Sequence, residues 1–241
     1  MATFVLVHGA WAGGWIWKKI IPSLRAAGHD VYATTGTGLG DRVHLAGPTV
    51  DLDTHITDVV NALKWEELTA VTLVGWSYGG MIITGVADRV PERLARLVYL
   101  DASVPVDGEN SYDVDLSAEE ARASDRAAAE ALGMPGFLVV EPYVEWIESL
   151  LPDRADREWV FANLVPQPIA TYTQPIRLRN PAATAIPRIF VRCTEDTAGV
   201  GNPTEDRVRS TPGWQYRELA ENHLAPINAP QATAEILLSL V

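Results

Sequence analysis

The chain has 241 residues, of which 47% are apolar and 21% charged, and its formal net charge is −12. This length and balance predict one ordered globular domain with a substantial core, and they exclude a disordered chain. An acidic surface repels phosphate backbones and anionic lipid headgroups, so we expect neither nucleic acid nor a membrane as a partner.

Short apolar runs alternate with amphipathic segments along the first hundred residues. Such runs are typical of strands covered on both faces, as in a parallel sheet, whereas the amphipathic segments indicate helices. We predict strands at residues 4–7, 31–34, 71–74 and 94–100, and helices at residues 15–27, 52–65 and 81–90.

The alternation stops at about residue 104 and resumes near residue 183. The intervening segment has no clear strand pattern and is predicted to be helical at residues 117–132, 141–151 and 156–163. Two more strands, at 186–192 and 215–219, and two helices, near 204–210 and 229–240, complete the chain.

This order predicts an α/β fold with a mostly parallel, doubly wound sheet. Residues 1–103 and 183–241 would form the core, and residues 104–182 would form a helical cap inserted in it. We expect the cap to cover the carboxyl edge of the sheet, where such folds bind their ligands.

The N-terminus and the cysteine content indicate the compartment. A strand that begins within the first four residues leaves no room for a signal peptide, and no apolar run is long enough to cross a bilayer. The single cysteine, Cys193, excludes an intrachain disulfide and is expected to be a buried thiol. We therefore expect a cytoplasmic protein.

Residues 75–79 read Gly-Trp-Ser-Tyr-Gly and match the G-x-S-x-G pattern of a nucleophile elbow. The pattern directly follows one predicted strand and precedes a predicted helix, which is the context that the motif requires. The turn would raise the Ser77 hydroxyl above the sheet, and the start of the helix would favour negative charge beside it. The sequence therefore predicts Ser77 as a nucleophile.

A serine hydroxyl needs a base to take its proton. Among the five histidines, His223 follows the last predicted strand and so lies at the same edge of the sheet as Ser77. We predict His223 as the base, His8 as a structural residue beside the oxyanion loop, and surface or packing roles for the other histidines.

A carboxylate should orient this histidine, and two candidates lie at strand ends. Asp196 lies just beyond the strand at 186–192, where the loop can turn its side chain to His223, so Asp196 is favoured. Asp101 ends the strand after the elbow helix and stays open as the alternative.

The developing oxyanion should be held by two backbone amides. One is that of Tyr78, which follows the nucleophile, and the other is expected from Ala10 in the loop after the first strand.

Several separated blocks resemble one branch of the α/β-hydrolase superfamily, the branch that holds plant methyl esterases, hydroxynitrile lyases and bacterial esterases. These blocks are residues 4–11, 13–15, 38–40, 75–80 and 193–196. The resemblance implies Ser77, Asp196 and His223 as the triad and Ala10 and Tyr78 as oxyanion donors. Length and motif positions are also similar to bacterial hydrolases of carbendazim, a methyl carbamate on a benzimidazole ring.

Three positions depart from members of this branch. Trp76 stands where bacterial members usually carry histidine. Ala10 and Leu224 stand where hydroxynitrile lyases carry a threonine and a lysine, and without the lysine a leaving cyanide has no cationic partner. We therefore predict ester hydrolysis, with lyase activity or a non-catalytic ligand-binding role as alternatives.

Aromatic residues indicate the substrate. Part of an apolar pocket for a small aromatic or alkyl ester, carboxylic or carbamic, is expected from Trp11, Trp76, Tyr143, Trp146, Trp159 and Leu224. We expect no cofactor and no metal, because no histidines and carboxylates have ligand spacing. The oligomeric state stays open, with a homodimer as one alternative.

Overall fold

The computed structural model describes residues 1–115, 118–195 and 202–241. The strands of this described part are β1 (Thr3–Val7), β2 (Asp30–Thr34), β3 (Val71–Trp76), β4 (Leu94–Leu100), β5 (Phe137–Leu138), β6 (Gln167–Pro168), β7 (Arg188–Cys193) and β8 (Trp214–Leu219). Its α-helices are α1 (Ile21–Ala26), α2 (Leu52–Trp65), α3 (Gly79–Arg89), α4 (Ser111–Asp115), α5 (Ala118–Ala131), α6 (Val144–Leu150), α7 (Arg154–Asn163), α8 (Ala170–Thr173), α9 (Asn202–Ser210), α10 (Ala225–Asn228) and α11 (Pro230–Leu238).

The main sheet is parallel, with strand order β2-β1-β3-β4-β7-β8 over the described residues. The α/β fold with a doubly wound sheet is confirmed. From β1 the chain adds β2 on one side and β3 on the other, so the strand order reverses between β1 and β3. Ligands of such sheets bind outside the carboxyl ends of the strands at this switch point.

Helices cover both faces of the sheet, which explains why its central strands are apolar throughout. Packing of α2 and α3 covers one face, and packing of α1 and α11 covers the other. On α2, the side chains of Leu52, Ile56, Val59 and Leu63 are buried at helical spacing, and Asp51 caps the first turn.

The cap differs from its prediction in detail. Two short strands, β5 and β6, pair antiparallel within the segment that shows no strand pattern in the sequence. Each has only two residues, too few for an alternating pattern to appear. Ser117, predicted to open the helix now seen as α5, lies outside the described residues. The domain boundaries stay a prediction.

Cys193 is buried at the end of β7, as predicted. In the described part of the chain, no helix has the length and apolar character needed to cross a membrane. The cytoplasmic location stays a prediction.

Candidate active site

Ser77 lies on a sharp turn between β3 and α3. Its φ is +56°, in the left-handed region that non-glycine residues rarely adopt. Gly75 and Gly79 allow this turn: a Cβ on Gly75 would lie 2.6 Å from the Gly79 carbonyl oxygen, and one on Gly79 would lie 2.8 Å from that of Val7. The two glycines of the motif therefore let strand, turn and helix pack closely against β1.

The register of the sheet places three polar residues in a row. Trp76 of β3 pairs with Leu100 of β4, and Leu100 pairs with Val191 of β7. The next residue of each strand is therefore Ser77, Asp101 and Arg192, respectively, side by side at the carboxyl edge.

His223 meets a carboxylate in this row. Its Nδ1 lies 2.7 Å from Oδ2 of Asp101, and both side chains are buried, with 2% of His223 and none of Asp101 exposed. Since an ionised carboxylate only accepts hydrogen bonds, Nδ1 is the donor. The neutral ring then has an unprotonated Nε2, and both His223 and Ser77 line the same cavity.

The carboxylate on His223 is thus the alternative, Asp101, and the choice of Asp196 is corrected. Asp196 itself lies outside the described residues. The physical reason is the register: the turn at Asp101, where φ is +44°, follows the strand beside the elbow. The sequence signal was its position directly after an apolar strand, which made it the rival candidate.

Two indole rings flank the imidazole. The ring centroids of Trp76 and Trp146 lie 5.3 and 5.6 Å from that of His223, and both rings are tilted by less than 40° to it. In addition, the Trp76 indole N–H donates to the His223 carbonyl oxygen at 2.8 Å. Trp76, the departure from bacterial relatives, therefore helps to hold the loop that carries His223.

The predicted oxyanion amides are those of Ala10 and Tyr78. Neither amide donates in the hydrogen bonds found among the described residues. The next residue, Trp11, has a φ of +58° and is fixed to the cap: its N–H donates to Gln167 Oε1, its indole N–H donates to the Leu138 carbonyl, and its carbonyl accepts from Val165 N–H.

Backbone strain is concentrated at this edge. Among the described residues, the non-glycine residues with positive φ are Trp11, Glu67, Ala70, Ser77 and Asp101, and three of these five belong to the site. Such conformations persist where the surrounding structure over-determines them, which is common at active sites.

A cavity of about 190 Å³ opens at Ser77 and lies between the sheet edge and the cap. Its walls are formed by Ala10, Trp11, Ala12, Ile16, Trp76, Ser77, Tyr143, Trp146, Ile147, Val160, Leu164, Tyr172, His223 and Leu224. No lysine, arginine or carboxylate is among these described residues. Most of the wall is apolar, so the cavity suits an uncharged ligand.

The structure places five of the six predicted substrate residues on this wall: Trp11, Trp76, Tyr143, Trp146 and Leu224. Trp159 is a correction, since it is not among the lining residues and packs edge to face on Trp15 at 5.1 Å. Sequence reasoning missed the aliphatic wall. Side chains such as Ile147 and Val160 look like ordinary helix core in the sequence, and no signal there separates the two roles.

The hydroxyl of Tyr143 is turned away from catalysis. It donates to Asp125 at 2.9 Å, and the hydroxyl of Tyr112 donates to the other oxygen of the same carboxylate at 2.7 Å. Burial raises the pKa of Asp125, and this effect outweighs the two hydrogen bonds, which lower it. The Tyr143 hydroxyl is therefore occupied by Asp125, and the residue contributes to the wall of the cavity without offering that hydroxyl to a ligand.

Two further histidines, His8 and His55, lie buried beside the elbow. His8 Nδ1 lies 2.7 Å from the Gly9 carbonyl and its Nε2 accepts from Gly36 N–H, while His55 contacts the Tyr78 hydroxyl. Burial lowers the pKa of both, that of His8 to about 4. These contacts fix neutral rings that hold the loops, which agrees with a structural role for His8.

No group of three or more histidine, cysteine or carboxylate side chains with the geometry of a metal site occurs among the described residues. The arrangement can instead perform proton transfer between a hydroxyl, an imidazole and a carboxylate.

Comparison with known proteins agrees with this architecture. The model of the alpha/beta hydrolase family matches residues 4–236, so the chain belongs to this family. It is 37% identical to a carbendazim hydrolyzing esterase from Nocardioides sp. (strain SG-4G) over 100% of both chains. It is also 26% identical to methylesterase 1 from Arabidopsis thaliana, over 98% of this chain and 95% of the relative.

A solved structure has the same fold. This is an extracellular alpha/beta-hydrolase from a Paenibacillus species, described as sharing structural and functional homology with tobacco salicylic acid binding protein 2. Its TM-score is 0.84 at 24% identity, over 99% of this chain and 98% of that one.

Proposed function

We propose that the chain is a serine esterase that cleaves small, uncharged aromatic or alkyl esters, carboxylic or carbamic, through an acyl- or carbamoyl-Ser77. One observation carries the proposal. Ser77, raised on a strained turn, and His223, bonded to a buried carboxylate, line the same apolar cavity.

The first half of the reaction forms the acyl-enzyme. Ser77 Oγ attacks the ester carbonyl carbon while His223 Nε2 takes the hydroxyl proton. The amides of Ala10 and Tyr78 bind the oxyanion. When the intermediate collapses, His223 returns that proton to the departing oxygen and the alcohol leaves.

The second half repeats these roles with water. His223 takes a proton from water, the hydroxide attacks the acyl or carbamoyl carbon, and Ser77 leaves with the proton that His223 returns to it. Asp101 holds the Nδ1–H tautomer and stabilises the imidazolium.

The substrate class follows from the cavity wall. Without a cationic side chain among its described residues, the wall offers nothing to offset the desolvation of a carboxylate or phosphate group. Neutral aryl esters and aryl carbamates are therefore favoured. The likeness to a carbendazim hydrolyzing esterase supports a carbamate as one substrate class.

Leu224 weighs against the lyase alternative. It is buried and lines the cavity beside His223, so an apolar side chain occupies the place where a lyase needs a cation for cyanide. We therefore propose hydrolysis alone.

Turnover of p-nitrophenyl acetate and of an aryl methyl carbamate tests the proposal. Ser77→Ala should lower kcat by at least about 10⁴-fold, because the nucleophile is lost. The control is Ser239→Ala, which removes an exposed serine at the end of α11 and should leave kcat unchanged.

Two outcomes would contradict the proposal. Activity that survives in Ser77→Ala would remove the mechanism. Failure of a fluorophosphonate probe to label the wild-type chain would instead favour a ligand-binding protein that does no chemistry.

A further inference from the structure

Both carboxylate oxygens of Asp101 accept hydrogen bonds, and the donors to the two oxygens are different groups. Oδ2 accepts from His223 Nδ1, whereas Oδ1 accepts from the Arg192 guanidinium at 2.7 Å and from the Cys193 N–H at 3.1 Å. The carboxylate is therefore held from the side opposite to the imidazole.

Arg192 is itself almost fully buried, with 8% of the residue exposed. Its Nε donates to Glu205 Oε2 at 3.3 Å, and Glu205 also accepts from Arg209 and from the Tyr216 hydroxyl. Burial acts to lower the pKa of Arg192, but the carboxylates of Asp101 and Glu205 outweigh it and raise that pKa. The guanidinium therefore stays charged inside the protein.

We propose that Arg192 is a positioning residue of the active site: it clamps Asp101 towards His223, and its charge acts on the imidazole through that carboxylate. The proposal rests on the proposed function, since it concerns the same imidazole. It goes beyond it, because the elbow motif and the triad require no arginine.

Asp101 and Arg192 act on the His223 imidazolium with opposite signs. A carboxylate beside an imidazole favours the imidazolium and raises the histidine pKa. The Arg192 cation on the same carboxylate repels the imidazolium and opposes that rise. Without Arg192, the imidazolium would persist to higher pH, and the acid limb of kcat/KM would move upwards.

Among the residues that the structure describes, the charged or titratable groups around this unit come from three parts of the fold. Glu205 and Arg209 lie on α9, Tyr216 and Glu218 lie on β8, and Asp101 directly follows β4. Around the imidazole itself, the described ring contacts are the uncharged indoles of Trp76 and Trp146. Within this set, both Asp101 and Glu205 have the opposite charge to Arg192 and bond to it directly.

Three variants test the proposal by the pH dependence of kcat/KM for p-nitrophenyl acetate. Arg192→Met should raise the acid-limb pKa by about one unit and lower kcat about tenfold, because both the charge and the clamp are lost. Arg192→Lys should keep the acid limb of the wild type, since it keeps the charge, and should recover part of kcat. Glu205→Gln should move the acid limb downwards by about half a unit, because the guanidinium charge is then less offset.

Arg207→Met is the matched control. Arg207 lies on α9, as Glu205 does, and pairs bidentately with Glu109 at 2.7 Å, and none of its described hydrogen bonds is to Asp101. It should leave the acid limb in place. Thermal unfolding and fluorophosphonate labelling of each variant report whether the fold and Ser77 remain intact.

The proposal fails if Arg192→Met and Arg192→Lys lose kcat equally with an unmoved acid limb, which is the result of a purely structural ion pair. If Arg192→Met does not fold, the Lys and Gln variants decide alone: an unmoved limb in Glu205→Gln overturns the proposal. Residual turnover in Ser77→Ala would instead remove the proposed function, so the two failures are distinct.

Discussion

The carboxyl edge of the sheet and the cap contribute to the same cavity in different ways. At the edge, Ser77 and Asp101 lie on strained turns, and buried charges contact one another at hydrogen-bond distance. On the cap side, apolar surfaces such as Ile147 and Val160 face the cavity, and the Tyr143 hydroxyl is bound to Asp125. Under the proposed function, this difference assigns the chemistry to the edge and the selectivity to the cap.

The two regions meet at Trp11. Its backbone lies in the oxyanion loop of the edge, while its N–H, carbonyl and indole N–H all bond to cap residues, namely Gln167, Val165 and Leu138. Since Gln167 accepts the Trp11 N–H, that amide is not left to bind an oxyanion, which supports Ala10 as the donor. The cap thus helps to fix the loop that carries Ala10, the proposed oxyanion donor, as well as to enclose the cavity.

The largest expected effect belongs to the edge. Asp101→Asn should lower kcat by about 10⁴-fold at neutral pH, because an amide can no longer hold the reactive tautomer of His223. Steady-state turnover of p-nitrophenyl acetate measures this loss, with thermal unfolding as the check on the fold.

Asp196→Asn is the matched comparison, since it makes the same change at the acid that the sequence favoured. With Asp101 on His223, this variant should stay within about tenfold of the wild type. The reverse ranking of the two variants would show that Asp196 is the acid and would also remove the basis for the role of Arg192.

The sequence predicts the sheet edge better than it predicts the cap. Ser77 and His223 were predictable because a turn of this kind needs glycines at fixed spacing and the base must follow a later strand. Asp101 was not chosen, because two strand-end carboxylates are equivalent in a sequence, and only the register of β3, β4 and β7 aligns one with the elbow. Arg192 was not found at all, since a strand arginine normally indicates a solvated edge.

The cap was predicted only as a helical segment. Its cavity wall depends on which side of each short helix faces the sheet, and this is decided by tertiary packing. Trp159 illustrates the limit: an aromatic residue in the cap was expected in the cavity, but it packs on Trp15 instead.

A smaller effect at the edge concerns stability in acid. The folded pKa of His8 is about 4 against 6.5 for the unfolded chain, so the folded state resists protonation. The stabilisation is complete above pH 6.5 and is lost as the pH falls towards 4, by about 3 kcal/mol in the free energy of unfolding. His8→Gln should remove this part of the pH dependence, and urea unfolding at pH 7 and at pH 4 measures it.

The control is His44→Gln, because His44 is exposed and its replacement should leave the difference between the two pH values unchanged. If His8→Gln and the wild type lost equal free energy between pH 7 and pH 4, the buried neutral ring would not be a source of acid sensitivity at the edge.

The smallest effect belongs to the cap and should appear as selectivity. Ile147→Ala enlarges the wall of the cavity without touching the charges at the edge. We expect kcat/KM for p-nitrophenyl hexanoate to rise about tenfold relative to p-nitrophenyl acetate, since a few buried methyl groups are worth about this much in discrimination.

The comparison variant is Ile169→Ala, which shortens another cap isoleucine that packs on the core but is not among the cavity residues. Its ratio of hexanoate to acetate should equal that of the wild type. Equal ratios in both variants would mean that the cap does not set the acyl length, whereas a fall in kcat for both esters in Ile147→Ala would mean that the cap also controls the chemistry.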